Sequence, residues 1–206
     1  MYSVLQNKTN IKFFEKPYPY IIIDEALPLD LYNDLNDNFP KYEKIINNNE
    51  YKENFAYRYS AAESLIDPDI RTSWKEFINY HTSYDFISDF YNIFGNSIKK
   101  CYPNSNSKLP NETNIGIRTQ DNSYFQMDCQ FVINTPSKIK TSVITPHLDS
   151  PNKFYAALLY MRDYEDDSLG GNFTINAYSE KRSFHNNTRL LKECNLIQEV
   201  EYKANR

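Results

Sequence analysis

The sequence predicts an α+β chain in which a helical layer comes first and a run of short strands follows. Three observations carry this. Apolar residues recur at helical spacing up to about residue 94, a Pro/Asn/Ser-rich stretch (Pro103 to Pro110) interrupts the pattern, and the remainder alternates or runs aliphatic between turn signals. Helices followed by consecutive short strands suggest a sheet that curls into a sandwich or barrel. At 206 residues the chain fits one domain, 1–206, with a strand and helical layer over 17–100 and the sheet over 114–206.

Taken in order, Tyr20-Ile-Ile-Ile23 is a β-branched run suited to a buried strand, and Pro28 is placed to open a helix. Leu31, Leu35 and Phe39 share one helical face, predicting a helix from about Leu29 to Asn38 before Pro40. Residues 41–70 give a mixed signal. Trp74, Phe77, Ile78 and His81 form one apolar stripe. Phe86, Ile87, Phe90, Tyr91 and Phe94 form a second, with Ser83 as a cap and Gly95 as a stop. Strands are expected near 115–119, 124–134, 141–146, 154–162, 171–177 and 197–202.

Composition excludes several classes of function. The 40% hydrophobic and 16% aromatic content gives ample apolar area to offset the entropy of ordering. A net charge of −4, with Lys and Arg scattered among acids, offers no basic face for nucleic acid. The three cysteines, Cys101, Cys129 and Cys194, lack CxxC spacing, so neither a disulfide framework nor a zinc finger is expected. The longest aliphatic runs are too short to span a bilayer. A cytoplasmic protein with no membrane partner is the expectation.

His147-Leu148-Asp149 is the candidate for chemistry. An imidazole and a carboxylate two residues apart project from one side of an extended strand and can grip one metal ion. Chance gives roughly 0.2 such matches in a chain of this composition, so context has to carry the reading. The pair lies in Ile144-Thr-Pro-His-Leu-Asp-Ser-Pro151, before the aliphatic run Tyr155-Ala-Ala-Leu-Leu-Tyr160, the acidic Asp163–Asp167 loop and Gly170-Gly171-Asn172-Phe173-Thr174. A surface turn bracketed by Pro146 and Pro151 is the plainer alternative. His81, on an apolar stripe, reads as a packed helical histidine. Cys129 reads as a small buried residue, and the acidic loop lacks the ladder of a calcium site.

This order of motifs resembles the iron(II)- and 2-oxoglutarate-dependent oxygenases of the prolyl-hydroxylase-like kind. Tyr18-Pro-Tyr-Ile-Ile-Ile-Asp24 with Leu27–Leu35 is similar to their opening strand and helix, and Trp74–Phe94 to their helical layer. The resemblance implies a double-stranded β-helix (jelly roll) with an N-terminal helical layer. It also implies Fe(II) and 2-oxoglutarate as cofactors, His147 and Asp149 as metal ligands, and hydroxylation of a peptide side chain or small metabolite. Tyr124, Gln130 and Tyr160 are candidates for lining the cofactor pocket, as inward-pointing polar residues on flanking strands.

In that family a distal histidine completes the metal site, followed by a basic anchor for the oxoacid. Ile197–Asn205 resembles the segment that precedes the histidine strand, so the chain is expected to be an incomplete jelly roll. The third ligand is then His185 or lies beyond Arg206. A non-catalytic jelly-roll binding or structural module is the alternative. A cupin-like or zinc-dependent enzyme would need more histidines or cysteines.

Overall fold

A computed structural model describes residues 2–46, 49–101, 103, 109–120, 122–143, 146–147, 153–163, 165–178 and 194–206. After a 3-10 turn at Lys8–Asn10 the elements run β1 (Ile11–Phe14), β2 (Tyr20–Ile23), α1 (Leu29–Asp37), α2 (Tyr42–Ile46), β3 (Ala56–Tyr59) and α3 (Ala61–Ile66). They continue with α4 (Thr72–His81), α5 (Tyr84–Cys101), β4 (Ile115–Ile117), β5 (Phe125–Met127), β6 (Phe131–Asn134), β7 (Phe173–Tyr178) and β8 (Cys194–Val200). The fold is mixed α+β. Its strands form three antiparallel pairs, β1·β2, β3·β6 and β7·β8, and one parallel pair, β4·β5, with no closed barrel among the described residues.

The helical layer follows the apolar stripes. Tyr32 and Leu35 of α1 are fully buried, and Trp74, Phe77, Ile78 and His81 of α4 turn to the same core. Trp74 Nε1 donates to the Leu35 carbonyl at 2.9 Å, so α4 is pinned to α1 by a polar bond within an apolar contact. The Trp74 ring meets Phe131 of β6 at 4.6 Å and Phe39 at 5.9 Å, which docks the sheet on the helices.

Several expectations need correction. Pro28 occupies the N-cap of α1, one position before the first helical residue. Helix α5 passes through Gly95 and ends at Cys101: the added turn buries Ile98, and this packing overrides the roughly 1 kcal/mol helical cost of glycine. Ser83 does not cap α5 through its side chain, because its hydroxyl donates back to the Tyr80 carbonyl at 2.8 Å. The mixed 41–70 region holds α2, β3 and α3. The last opens with a capping box in which Ser60 and Glu63 satisfy each other's backbone N–H groups.

The sheet half departs further. The single strand expected over 124–134 is two, broken at 128–130, where the Asp128 carboxylate takes up donors from three directions. Over 141–146 no strand occurs among the described residues. Residues 154–162 form no strand ladder among the described residues; Tyr155, Leu159 and Met161 pack on the core, and the Tyr160 backbone bonds to residues 205 and 206. β7 starts two residues late, because Gly170 (φ +94°) and Gly171 (φ +73°) form a corner. A Cβ on Gly171 would stand 3.0 Å from the Tyr202 ring. β8 starts and ends earlier than the expected 197–202.

The last residues close the core. Asn205 is buried with φ +57°, a conformation Asn tolerates better than most side chains. Its Oδ1 accepts from Leu27 N at 2.9 Å, and its Nδ2 donates to Leu27 O at 2.8 Å. Its backbone N–H reaches Tyr160 O at 3.0 Å, and its carbonyl accepts from Ala26 N at 3.0 Å. Beside it, Arg206 Nε bonds Asp24 at 2.7 Å. Tyr32, beneath, donates its hydroxyl to Arg162 O at 3.0 Å.

His81 is structural in the same sense. Nδ1 lies 2.7 Å from the Phe77 carbonyl and Nε2 accepts from Val4 N at 3.2 Å, which fixes a neutral ring protonated on Nδ1. The ring stacks on Phe77 at 3.9 Å and is buried; burial pushes its pKa down to about 4, against opposing contributions from the Phe77 carbonyl and Asp89.

Two outcomes follow for stability. Asn205→Ala strands the backbone N–H and C=O of Leu27 in the core, and is expected to lower urea-unfolding stability by about 2–4 kcal/mol; a loss below about 0.5 kcal/mol would contradict the bonding described. The native state disfavours a proton on His81, so that stability is fully present above pH 6.5. It is lost as pH falls from 6.5 toward 4, by about 3 kcal/mol in all. Urea unfolding across this range should show that slope in the unaltered protein and not in His81→Gln.

Candidate functional site

Strand alternation gives the sheet half two unlike faces. Ile115 and Ile117 of β4, Met127, Cys129, Phe131 and Ile133 along β5–β6, and Tyr155, Leu159 and Met161 pack against the helical core. Among the alternate positions, Arg118, Asp128, Gln130 and Tyr160 fall outside the strand ladders, while Val132 and Leu158 are exposed apolar residues. On the core side, the Cys129 thiol is pushed up to about 12, first by burial and then by the Asp128 carboxylate, which matches its reading as a small inert residue.

His147 sits in an isolated β-bridge with its side chain exposed. Asp149 and His185 lie outside the described residues. Among the described residues no group of three or more His, Cys, Asp or Glu gathers where it could hold a metal ion. Both ring nitrogens of His81, by contrast, are engaged within the core.

The three residues expected to line a cofactor pocket have different surroundings. Tyr124 is 74% exposed, its ring set edge-on to Phe125 at 5.0 Å. Tyr160 is half-buried, packs edge-on against Tyr202 at 5.2 Å, and its hydroxyl is hydrogen-bonded to the Phe173 backbone; burial raises its pKa. Its role here is to hold the start of β7. Gln130 is half-buried and donates from Nε2 to Asp128 Oδ2 at 2.7 Å.

Asp128 is the residue the sequence reading passed over. Its Oδ1 accepts from Ala61 N, at the start of α3, at 3.0 Å, and its Oδ2 also meets Arg118 Nη2 at 2.7 Å. One carboxylate thus joins β4, the β5–β6 break and α3. Next to Arg118, Thr119 has φ +71°, a left-handed conformation that costs a β-branched residue roughly 1–3 kcal/mol. It is held by Arg118 N to Met127 O at 2.8 Å, Gln120 N to Ile117 O at 3.1 Å and Gln120 Nε2 to Ala62 O at 3.3 Å. The signal in the sequence was the polar residues at 126, 128 and 130, alternating with Met127, Cys129 and Phe131.

The acidic loop after residue 162 is organised by an arginine. Arg162 donates to the carbonyls of Tyr202 (2.9 Å), Asp166 (2.9 Å) and Ser168 (3.0 Å), lies 4.9 Å from the Tyr202 ring centre, and pairs with the Asp166 carboxylate at 3.5 Å. The Asp163 and Asp166 carboxylates cap backbone N–H groups two residues on. No described helix is long and apolar enough to cross a membrane.

Comparison with protein-family models, with curated proteins and with solved structures finds no match to this chain.

Proposed function

We propose that the chain is the body of a 2-oxoglutarate- and Fe(II)-dependent oxygenase acting on a peptide side chain or small metabolite. In this reading its strands belong to a jelly roll and His147 and Asp149 are the metal ligands. The observation that carries the reading is the exposed His147 imidazole in a β-bridge, two residues before Asp149 and ahead of the extended 154–162 segment. The helical layer packed against Tyr155, Leu159 and Met161 of that segment supports it, since the resemblance implies such a layer beside the sheet.

The donor types suit the metal. A neutral imidazole and a carboxylate on one side of Fe(II) leave positions for a bidentate oxoacid and for oxygen. When bound, such a centre couples oxidative decarboxylation of 2-oxoglutarate to hydroxylation. The protein's own part would be to hold these two donors, with His185 as the candidate third within the sequence, and to orient the oxoacid over them.

Purified protein supplied with Fe(II), ascorbate and 2-oxoglutarate should release succinate. His147→Ala and Asp149→Ala should each reduce that release by about a hundredfold or more. Unchanged turnover in either variant removes the site assignment. Absence of both succinate release and Fe(II) uptake in the unaltered chain would instead support a non-catalytic module.

A further inference from the structure

The acidic loop and the β7·β8 ladder meet in a surface that the proposed chemistry does not use. Asn172 joins the two strands' ends: its Nδ2 donates to Glu199 at 2.7 Å and its Oδ1 accepts from Tyr202 N at 2.9 Å. Arg162 ties Tyr202 O to the Asp166 and Ser168 carbonyls, so the loop, the Gly170–Gly171 corner and the end of β8 are held together. Apolar side chains stand out from this surface. Leu169 is fully exposed and Phe173 is 44% exposed. Among the described residues β7 pairs with β8 alone, so its other edge carries no strand.

Apolar residues beside an open strand edge invite pairing with another chain, and charges placed around them choose which chain is admitted. Here those charges are carboxylates. Glu165, Asp167 and Glu199 are exposed, and Glu201 is 70% exposed, with Arg206 Nη1 3.9 Å from its carboxylate. The cations of the region are committed elsewhere: Arg162 to three carbonyls and Asp166, Arg206 and Lys203 to Asp24. Both guanidinium groups are largely enclosed, so the field around Leu169 and Phe173 is negative. That field decides the occupant. A second copy of this chain would bring the same carboxylates and be repelled, whereas a cationic segment is attracted by all of them.

We infer that this surface docks an extended, lysine- or arginine-bearing segment of another protein alongside residues 169–174, where the edge of β7 is open. Main-chain bonds to that edge supply affinity that depends little on sequence. Apolar side chains of the segment cover Leu169 and Phe173, and its cations lie against Glu165 and Asp167. The inference does not rest on the oxygenase reading, because docking requires neither metal nor oxoacid.

Fluorescence anisotropy of the full chain, without metal, tests this with a labelled peptide of alternating lysine and valine and its glutamate–valine counterpart. The lysine peptide should bind, more weakly as salt is raised, and the glutamate peptide should not. Glu165→Lys with Asp167→Lys should weaken binding by roughly tenfold or more. Leu169→Ser should weaken it severalfold at every salt concentration. All three positions are exposed, so folding is retained. Asp37→Lys with Glu76→Lys, the same charge change at exposed helical positions, should leave the affinity unaltered. No binding of the lysine peptide at millimolar concentration, equal binding of the glutamate peptide, or equal losses in the two charge-reversal variants would overturn the inference. A dimer in sedimentation that Leu169→Ser dissociates would also overturn it, by giving the surface to a second copy. Peptide binding is read separately from succinate release, so failure of the oxygenase reading leaves this result standing.

Discussion

Asn205 joins three stretches of chain that are otherwise distant in sequence. Its amide copies the two hydrogen bonds of a strand partner for Leu27, while its own backbone bonds to Ala26 and Tyr160. The β2–α1 junction, the extended 154–162 segment and the chain's last residues therefore share one buried polar centre. Tyr32 repeats the connection from below by reaching Arg162 O, and Arg206 repeats it at the surface by pairing with Asp24. Buried backbone groups are costly to leave unpaired, so this centre fixes which way the 154–162 segment faces.

That orientation separates packing from chemistry. Tyr155, Leu159 and Met161 turn to the core, whereas Tyr160 and Arg162 bond the backbone of residues 173 and 202, and the Asp128 carboxylate ties β4 and the β5–β6 break to α3. Arg162 and the Gly170–Gly171 corner then set where β7 begins. His81 shows the opposite fate for a titratable side chain: it is consumed by the core, and its imidazole holds the segment at Val4 in place.

Legibility in the sequence followed the length of the apolar pattern. α1, α4 and β2 were readable because three or more apolar residues recur at a single period. α5 was readable in all but its end, where burial of Ile98 outweighed Gly95. Strands β1 and β3 were hidden because their ladders depend on partners, Ile23 for Ile11 and Phe131 for Tyr59, that no local pattern names. The break at 128–130 was invisible for the same reason, since the demand on Asp128 comes from Ala61 and Arg118. For the site, His147 lies exposed in a β-bridge, and Asp149 lies outside the described residues. Tyr160, read as pocket-lining, is half-buried with its hydroxyl bonded to the Phe173 backbone, a contact of its one polar tip that no local pattern names.

Joined through Asn205, the helical layer, the 154–162 segment and the chain's last residues unfold as one unit. Native-state hydrogen exchange of the Ala26, Leu27, Tyr160 and Asn205 amides tests it most directly. All four should open with the same free energy as the Trp74 indole N–H in the core. Exchange of the Tyr160 and Asn205 amides at rates typical of surface loops, while Trp74 stays protected, would contradict it.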